Sequence, residues 1–527
     1  PIQVQAVVYI VQRMAEMAAL GVIAGVWAYL RGRRTGRWRW YGLSVLALAF
    51  GGLSKENAWI GPVLVVLAEY GVVRRGAVLA TWRDRLVWSL PVAGLVWVVG
   101  DLALGGPLAG WLLPGYAYRS FTLVERLLTE PRVIGLHLGQ WLWPWPERFS
   151  IEHEVAVSRG VLEPPTTLVG LLGVVVWVGG GLWLLWCGGR RRRVGFGLLW
   201  FAAALVVEST VVPLELVFEH RMYLPTVGLG VVTGVGVSWA WRRLRPAAVA
   251  LPGALVLAAL AASTSARLPV WRDNLTLYAE AVRHAPGSAR AWVNYGLGLA
   301  QAGRHDEAMA AYRRALALED LPEARHNLAM QLERRGRLRE ALAELDRAVA
   351  RVPRLAPARL ERGRIRHRLG DLRGAVEDYD AALALRPGWW VPLDNRALAR
   401  LALGDVAGAL ADLDRAIGLA PAVARLWADR GAVRLVAGDP AAALADLERA
   451  VALGADDAGV HYNRGRALAR LGRAEEAAAA WRRACALGLA RACRAAGSRA
   501  REGTPAPFPG FGNGIPGREQ ESAGMTD

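Results

Sequence analysis

Apolar positions follow two regimes along this chain. From residue 1 to about 265 they form near-continuous runs, at about 14–30, 40–53, 57–73, 86–104, 167–187, 195–212, 222–240 and 247–264. Such runs lack the polar face of a surface helix, and several approach the roughly 20 residues that carry a helix across a bilayer. They predict a polytopic helical membrane domain over 1–265 with about eight spans. The stretch 131–146 is also apolar, but it carries Trp141, Trp143, Pro144, Trp145 and Pro146. Clustered Trp and Pro fit an interfacial or re-entrant segment of a loop region, 105–166, better than a crossing. From about 266 to 500 the pattern changes to amphipathic helices rich in Ala and Arg. The whole is therefore expected to be all-α. The tail 501–527 is rich in Gly and Pro and is expected to be disordered.

The second regime repeats. A small residue recurs at Gly296, Ala329, Gly363, Ala397, Gly431 and Gly465, a nearly constant period. The same register places Gly303, Gly336, Gly370, Gly404, Gly438 and Gly472 between two helices, and Pro353, Pro387 and Pro421 at the ends of three units. Small residues let paired helices approach, and Tyr312, Tyr379 and Trp481 are expected to fill space between neighbouring units. This pattern, with its period of about 34 positions, resembles tetratricopeptide (TPR) repeats. It implies an α-solenoid of six repeats over 289–500, joined to the membrane domain by a half repeat over 266–288. The sixth position of each first helix is Asn294, Asn327, Glu361, Asn395, Asp429 and Asn463. An amide donates and accepts hydrogen bonds, so one per repeat suits the backbone of an extended polypeptide. The row resembles the asparagine ladder of O-GlcNAc transferase. Two readings stay open, a peptide-binding ladder and a common choice of residue at that position.

Charge changes the picture by where it lies. The net charge of +18 would suit nucleic acid, yet the arginines cluster between apolar runs: Arg31, Arg33, Arg34, Arg37 and Arg39; Arg74, Arg75, Arg83 and Arg85; Arg190 to Arg193; Arg242, Arg243 and Arg245. That is the distribution of cytoplasmic loops in a membrane protein, so no nucleic-acid partner is expected. With those loops inside and 131–146 not crossing, the repeats fall outside the cytoplasm. The predominance of Arg suggests a bacterial source, hence an inner-membrane protein with periplasmic repeats. The chain begins at Pro1 without Met and is read as lacking its true N-terminus.

No nucleotide loop, zinc signature or nucleophile elbow is present, and no metal site is expected. Polar residues stand instead at the outer ends of spans: Arg13 and Glu16, then Lys55 and Glu56, where Lys55 is the chain's one lysine, and Glu219, His220 and Arg221. Arg13, Lys55, His220 and Arg221 are candidates for a cationic phosphate pocket, with helix capping and ion pairing as the plainer reading of each. The segments PIQVQAVVYIVQR, LSKENAWIGPVLVVLAEY, YRSFTLVERLLTEPRVIG, WPWPERFSIEHEV and FEHRMYLPTVGLG resemble the membrane core of the transmembrane and TPR-containing O-mannosyltransferases and their bacterial relatives. The resemblance implies a GT-C-type glycosyltransferase that moves a mannose-like sugar from a polyprenyl-phosphate donor to a protein hydroxyl, without a firm cofactor. It places the catalytic acid in a loop upstream of Pro1. It leaves Arg13, Lys55, Glu56, Glu219, His220 and Arg221 for donor-phosphate or supporting roles, with Glu56 or Glu219 alternatively orienting the acceptor. Membrane lipid and a polypeptide in the repeat groove are the partners implied. A non-enzymatic membrane-anchored scaffold for cell-envelope assembly is the alternative. A lipid-precursor transporter is a third reading, with Glu16, Glu69, Asp101 and Glu208 as its charged residues. Finally, ACALGLARAC resembles the cysteine-bridged Sel1-like repeats. Along a continuous helix Cys485 and Cys493 would stand about 12 Å apart, too far to bond, unless a turn at Gly488 closes the gap. A disulfide there would fit an oxidising compartment.

Overall fold

The computed structural model describes residues 13–74, 81–116, 121–214, 216–217 and 222–497. Among them the regular elements are helices, with one isolated bridge between Gly160 and Glu163. The chain divides into two compact units, Pro1–Gly298 and Leu299–Asp527.

In the first unit, α1 (Arg13–Thr35) and α2 (Arg39–Ser54) form a close antiparallel hairpin. Glycines allow it: a Cβ on Gly21 would lie 2.6 Å from the Cα of Gly51. Ser44, buried in this interface, donates to the Gly25 carbonyl at 2.7 Å. After a 3-10 turn, Glu56–Ile60, the chain continues as α3 (Gly61–Ala68) and one π turn, Glu69–Val73. Then follow α4 (Trp82–Leu104), α5 (Pro107–Tyr116), α6 (Leu123–Leu142), α7 (Thr166–Trp186), α8 (Gly189–Leu205), α9 (Pro225–Arg243) and α10 (Pro246–Arg267). The unit ends with α11 (Asn274–His284) and most of α12 (Ala289–Gln301). Ala18, Val22, Leu64, Phe196, Trp200 and Leu224 form its main apolar core.

All eight apolar runs hold helix, but among the described residues three helices are long and apolar enough to cross a membrane: Met14–Thr35, Thr166–Trp186 and Pro246–Trp271. A fourth candidate, Val96–Leu104 with Pro107–Tyr116, is bent by 71°. The reason is local. With 16 residues, α2 rises about 24 Å, short of a hydrocarbon core of about 30 Å. The run 195–212 is helical only to Leu205 and continues as turns. Segment 131–146 lies mostly in α6, a helix of 20 residues opened by a Thr122–Glu125 capping box and left at Trp143.

The face that α6 buries is polar. Arg126, Thr129, Glu130, Val133, His137 and Gln140 recur on one side of it and are buried, while Val124, Leu127 and Leu142 are exposed. The loop that follows is held against this side by polar contacts. The Ser158 N–H donates to Thr129 Oγ1 at 2.8 Å, and Gln140 donates to the Arg148 carbonyl at 2.7 Å.

The second unit holds α13 (His305–Leu318), then five helix pairs: α14 (Pro322–Arg334) with α15 (Leu338–Arg351), α16 (Ala356–Leu369) with α17 (Leu372–Leu385), α18 (Trp390–Ala402) with α19 (Val406–Leu419), α20 (Ala424–Ala437) with α21 (Pro440–Ala452), and α22 (Ala458–Arg470) with α23 (Ala474–Ala486). A short α24 (Ala490–Gly497) closes the array. The turn glycines Gly336, Gly370, Gly404, Gly438 and Gly472 all have positive φ, between 72° and 88°. That conformation closes a helix at little strain only with glycine. Within a pair the small residue of the first helix faces a large one of the second. The ring of Tyr379 would lie 2.7 Å from a Cβ on Gly363, and the Trp481 indole closer still to one on Gly465. The large side chains thus fill their own helix pair first, and Tyr379 also joins the next repeat in a cluster with Ala399 and Trp389.

A second period is electrostatic. Arg362, Arg396 and Arg430 take the same place in successive repeats. Each bonds a buried aspartate of its own pair, Asp378, Asp412 or Asp446, at 2.5, 2.5 and 2.7 Å. Each also reaches back to an aspartate of the preceding repeat: Arg362 to Asp346 at 3.0 Å, Arg430 to Asp414 at 2.6 Å, and Arg396 to Asp380. The bond to Asp446, helped by Asp414 and opposed by burial, raises the Arg430 pKa. Each of these repeats is so tied to the one before it by a charge pair as well as by packing.

Candidate functional site

Two places have the chemistry to act on another molecule. One is a charged cluster at one end of the first unit. Because α1 and α2 are antiparallel, Arg13 at the start of α1 and Lys55 just after α2 share that end. Lys55 is extended and ends α2. Its Nζ lies 3.6 Å from Glu208 Oε1, and the Glu208 side chain is almost wholly buried. Glu208 follows α8, in the turns through 206–214. The carbonyls of those turns converge on Arg126 of α6, which is fully buried. It donates to the carbonyls of Thr210 at 2.9 Å and Glu208 at 2.6 Å, and to that of Leu214. Glu130, one turn along α6, pairs with Arg126 at 2.8 Å. A guanidinium with five donors suits several carbonyls at once, and it satisfies acceptors that a helix end leaves open.

Of the cationic pocket that the sequence suggests, the structure describes the side chain of Lys55 alone. Lys55 is opposed by Glu208, so an arriving anion meets a paired ammonium and not a free one. Arg13 and Glu56 stand at this end by backbone position. Glu219, His220 and Arg221 lie outside the described residues. Sequence reasoning missed Arg126 and Glu130. Their signal was the i, i+4 spacing of opposite charges, continued by His137 and Gln140 on the same helical face. Among the described residues no group of His, Cys, Asp and Glu could hold a metal ion.

The second place is the row on the first helices of the repeats. Successive first helices approach one another, as α20 does α22. In a curved stack the elements that meet across repeats lie on the inner side, so the first helices line the concavity. Asn327 and Asn463 are half-buried and Asn395 is buried. Asn463 Oδ1 accepts from Arg466 at 3.4 Å, a weak bond that leaves its amide N–H groups available. Glu361 and Asp429 continue the row as carboxylates. Charged neighbours stand beside it: Arg364 and Arg368 both bond Glu333 at 2.7 Å, and Arg425 bonds the buried Asp394. Asn294 lies on α12, in the first unit. At the far end, Gly488, at φ +94, separates α23 from α24 and brings Cys485 and Cys493 into a disulfide with Cα atoms 4.7 Å apart.

The profile described as tetratricopeptide repeat matches residues 271–323, 326–388, 395–458 and 429–493. These segments are tetratricopeptide repeats. Solved TPR structures are similar to part of the chain. A TPR protein of Parabacteroides merdae is 20% identical over 41% of this chain and 88% of its own, with a TM-score of 0.34. YrrB, described as a TPR protein with an unusual peptide-binding site, is 16% identical over 35% and 95%, at 0.31. Pseudomonas aeruginosa pilF is 18% identical over 38% and 91%, at 0.35. None of the curated proteins compared matches the chain. TPR arrays present extended concave surfaces to peptides and proteins, so a protein-interaction role follows for this half.

Proposed function

We propose that this chain is a membrane-embedded scaffold whose TPR array holds an extended polypeptide. The observation that carries the proposal is the row Asn327, Glu361, Asn395, Asp429 and Asn463, one polar side chain per repeat on the inner helices. Spaced at the repeat, such groups match a backbone and not a particular side-chain sequence. Membrane embedding is supported by the first unit. Val169, Val175, Val176, Leu251, Leu255 and Leu257 are exposed along two of its long apolar helices, far more apolar surface than water-facing helices carry. The inverted α6, polar inside and apolar outside, points the same way. Replacing Asn294, Asn327, Asn395 and Asn463 with alanine is expected to weaken capture of an unfolded polypeptide by about 30-fold, at about 0.5 kcal/mol per lost amide contact. Unchanged capture by the quadruple variant, measured by fluorescence anisotropy, would rule out the row as the binding element.

A second reading is favoured by the charged end of the first unit. An anchor needs one apolar helix, whereas here Lys55, Glu208, Arg126 and Glu130 are gathered within a bundle. That investment suits a glycosyltransferase of the O-mannosyltransferase type, with the lipid-linked donor at this end and the acceptor in the array. Its test is transfer from polyprenyl-phosphate mannose to a Ser/Thr-rich polypeptide by the protein in membranes. Transfer lost in Lys55→Ala and retained in the asparagine variant at saturating acceptor would support it. Absence of transfer would leave the scaffold.

A further inference from the structure

The arginines at the opposite end of the first unit are not equivalent. Arg33 and Arg74 bond Glu69, with Arg33 Nε at 3.0 Å and Arg74 Nε at 3.3 Å, and Tyr29 completes that carboxylate's shell at 3.0 Å. Arg192 is buried and donates to the carbonyls of Arg74 and Leu185, at 2.5 and 3.0 Å. These side chains lock helix ends together. Arg190, Arg193 and Arg242 do neither. Among the described residues no side chain pairs with any of the three, yet they line one groove of about 220 Å³ between α8 and α9. Its floor is open: no atom stands within 4 Å of where a Cβ on Gly234 would be, and Ser238 one turn on offers a hydroxyl. Three unopposed guanidiniums repel one another. Arg190 also stands in the first turn of α8, where the helix dipole is positive and no acidic residue offsets it. Such an arrangement is stable when an anion sits among the charges.

The surroundings indicate where that anion comes from. Trp183 and Trp186 close α7 just before these arginines, Trp239 and Trp241 precede Arg242, and all four are exposed. Exposed Trp beside Arg at one end of apolar helices marks the headgroup level of a bilayer. We propose that the groove between α8 and α9 binds the phosphate of an anionic phospholipid, with Arg190, Arg193 and Arg242 as its donors. Ser238 adds a hydroxyl donor, and the acyl chains run along the exposed apolar faces. The site is separated from Lys55 and Glu208 by the 17 residues of α8, so it is not the pocket considered for a sugar donor. It rests on membrane embedding but is independent of polypeptide capture and sugar transfer.

The test is native mass spectrometry of the full chain in nonionic detergent, titrated with phosphatidylglycerol, phosphatidylcholine or inorganic phosphate. Phosphatidylglycerol should be retained in preference to phosphatidylcholine. The variant Arg190→Gln/Arg193→Gln/Arg242→Gln should lose that retention by about tenfold or more, while Arg31→Gln/Arg34→Gln/Arg37→Gln, which removes equal charge at the same end, should keep it. Replacement of the same three residues by lysine should keep most of it. Gly234→Leu fills the groove without altering charge and should abolish it, which covers the case of a triple variant that fails to fold. Equal loss in both glutamine variants would overturn the proposal. So would retention in Gly234→Leu, or inorganic phosphate that competes as well as the lipid. Recovery of the chain in the soluble fraction of cells would overturn it together with the membrane reading, whatever the repeats bind.

Discussion

At the scale of single residues, the repeat unit is governed by buried aspartates and by arginines that bridge them to the preceding repeat. Asp412 is 4% exposed and receives Arg396 and Arg400. Asp412→Ala would leave both guanidiniums without their buried acceptor, and breaking such a pair from one side costs about 3 kcal/mol or more. Asp412→Asn keeps the acceptor oxygen and should cost clearly less. Urea denaturation of both variants measures the difference, and equal costs would contradict this account. Removing the exposed Glu476, bonded to Arg473 on the surface, should be nearly silent in the same assay. His326 gives a pH dependence of known sign. Burial lowers its pKa below the ordinary 6.5, with an opposing contribution from Asn327. The folded array therefore keeps a neutral imidazole while the unfolded chain takes up a proton, and stability falls as pH drops below 6.5 toward the folded value. Denaturation midpoints on either side of that value should show the fall, and His326→Gln should reduce it. A wild-type midpoint that rises on acidification would refute this assignment. None of these partners was visible in the sequence. Asp378, Asp412 and Asp446 look like surface residues of an amphipathic helix, and only the recurrence of both Arg and Asp at the repeat period hinted that they meet.

At the scale of elements, four of the five helix pairs of the second unit show size compensation. Gly363 lies under Tyr379 and Gly465 under Trp481, whereas Ala329 and Ala397 have Leu345 and Leu413 at the matching place of the second helix. Gly363→Ala should destabilise the array by about 2 kcal/mol, because the added methyl meets a ring packed at 2.7 Å. Tyr379→Leu in the same chain should recover part of that loss, as the Ala–Leu repeats do. A double-mutant cycle with no coupling would refute the compensation. The repeats were legible because a fixed period shows in sequence whatever the surrounding contacts: the turn glycines and the five helix pairs of the second unit stand where the period puts them. The first unit was less so. Hydropathy located its helices but not their ends. α8 stops at Leu205, where a polar turn built on Arg126 begins, and an apolar run through 212 gives no sign of that stop. The polar inner face of α6 was hidden for a related reason. A rule that buries apolar residues reads such a helix inside out, and the true orientation depends on what its outer face meets.

At the scale of the whole molecule, the surroundings of the first unit decide what it can be. Many of its arginines gather at one end, Arg33, Arg74 and Arg190 to Arg193 among them, while Lys55, Glu208, Arg126 and Glu130 gather at the other. In a membrane the arginine-rich end faces the cytoplasm. The last long apolar helix starts beside Arg245 and runs through Trp271, 26 residues or about 39 Å, enough to reach the other surface. Arg272 should then be extracytoplasmic and Cys187, exposed at the end of α7 beside Arg190, cytoplasmic. A membrane-impermeant maleimide added to intact cells or spheroplasts should label Arg272→Cys. It should reach Cys187 only after the membrane is opened, with Cys187→Ser as the control for background. Cys485 and Cys493 should stay unlabelled in either case until a reductant is added, since their thiols are joined. The reverse order, Cys187 first, would place the repeats in the cytoplasm and remove any access to a lipid-linked sugar on the outer face. Equal labelling without opening would mean that this helix does not separate two compartments, and the array would then be a soluble-side scaffold.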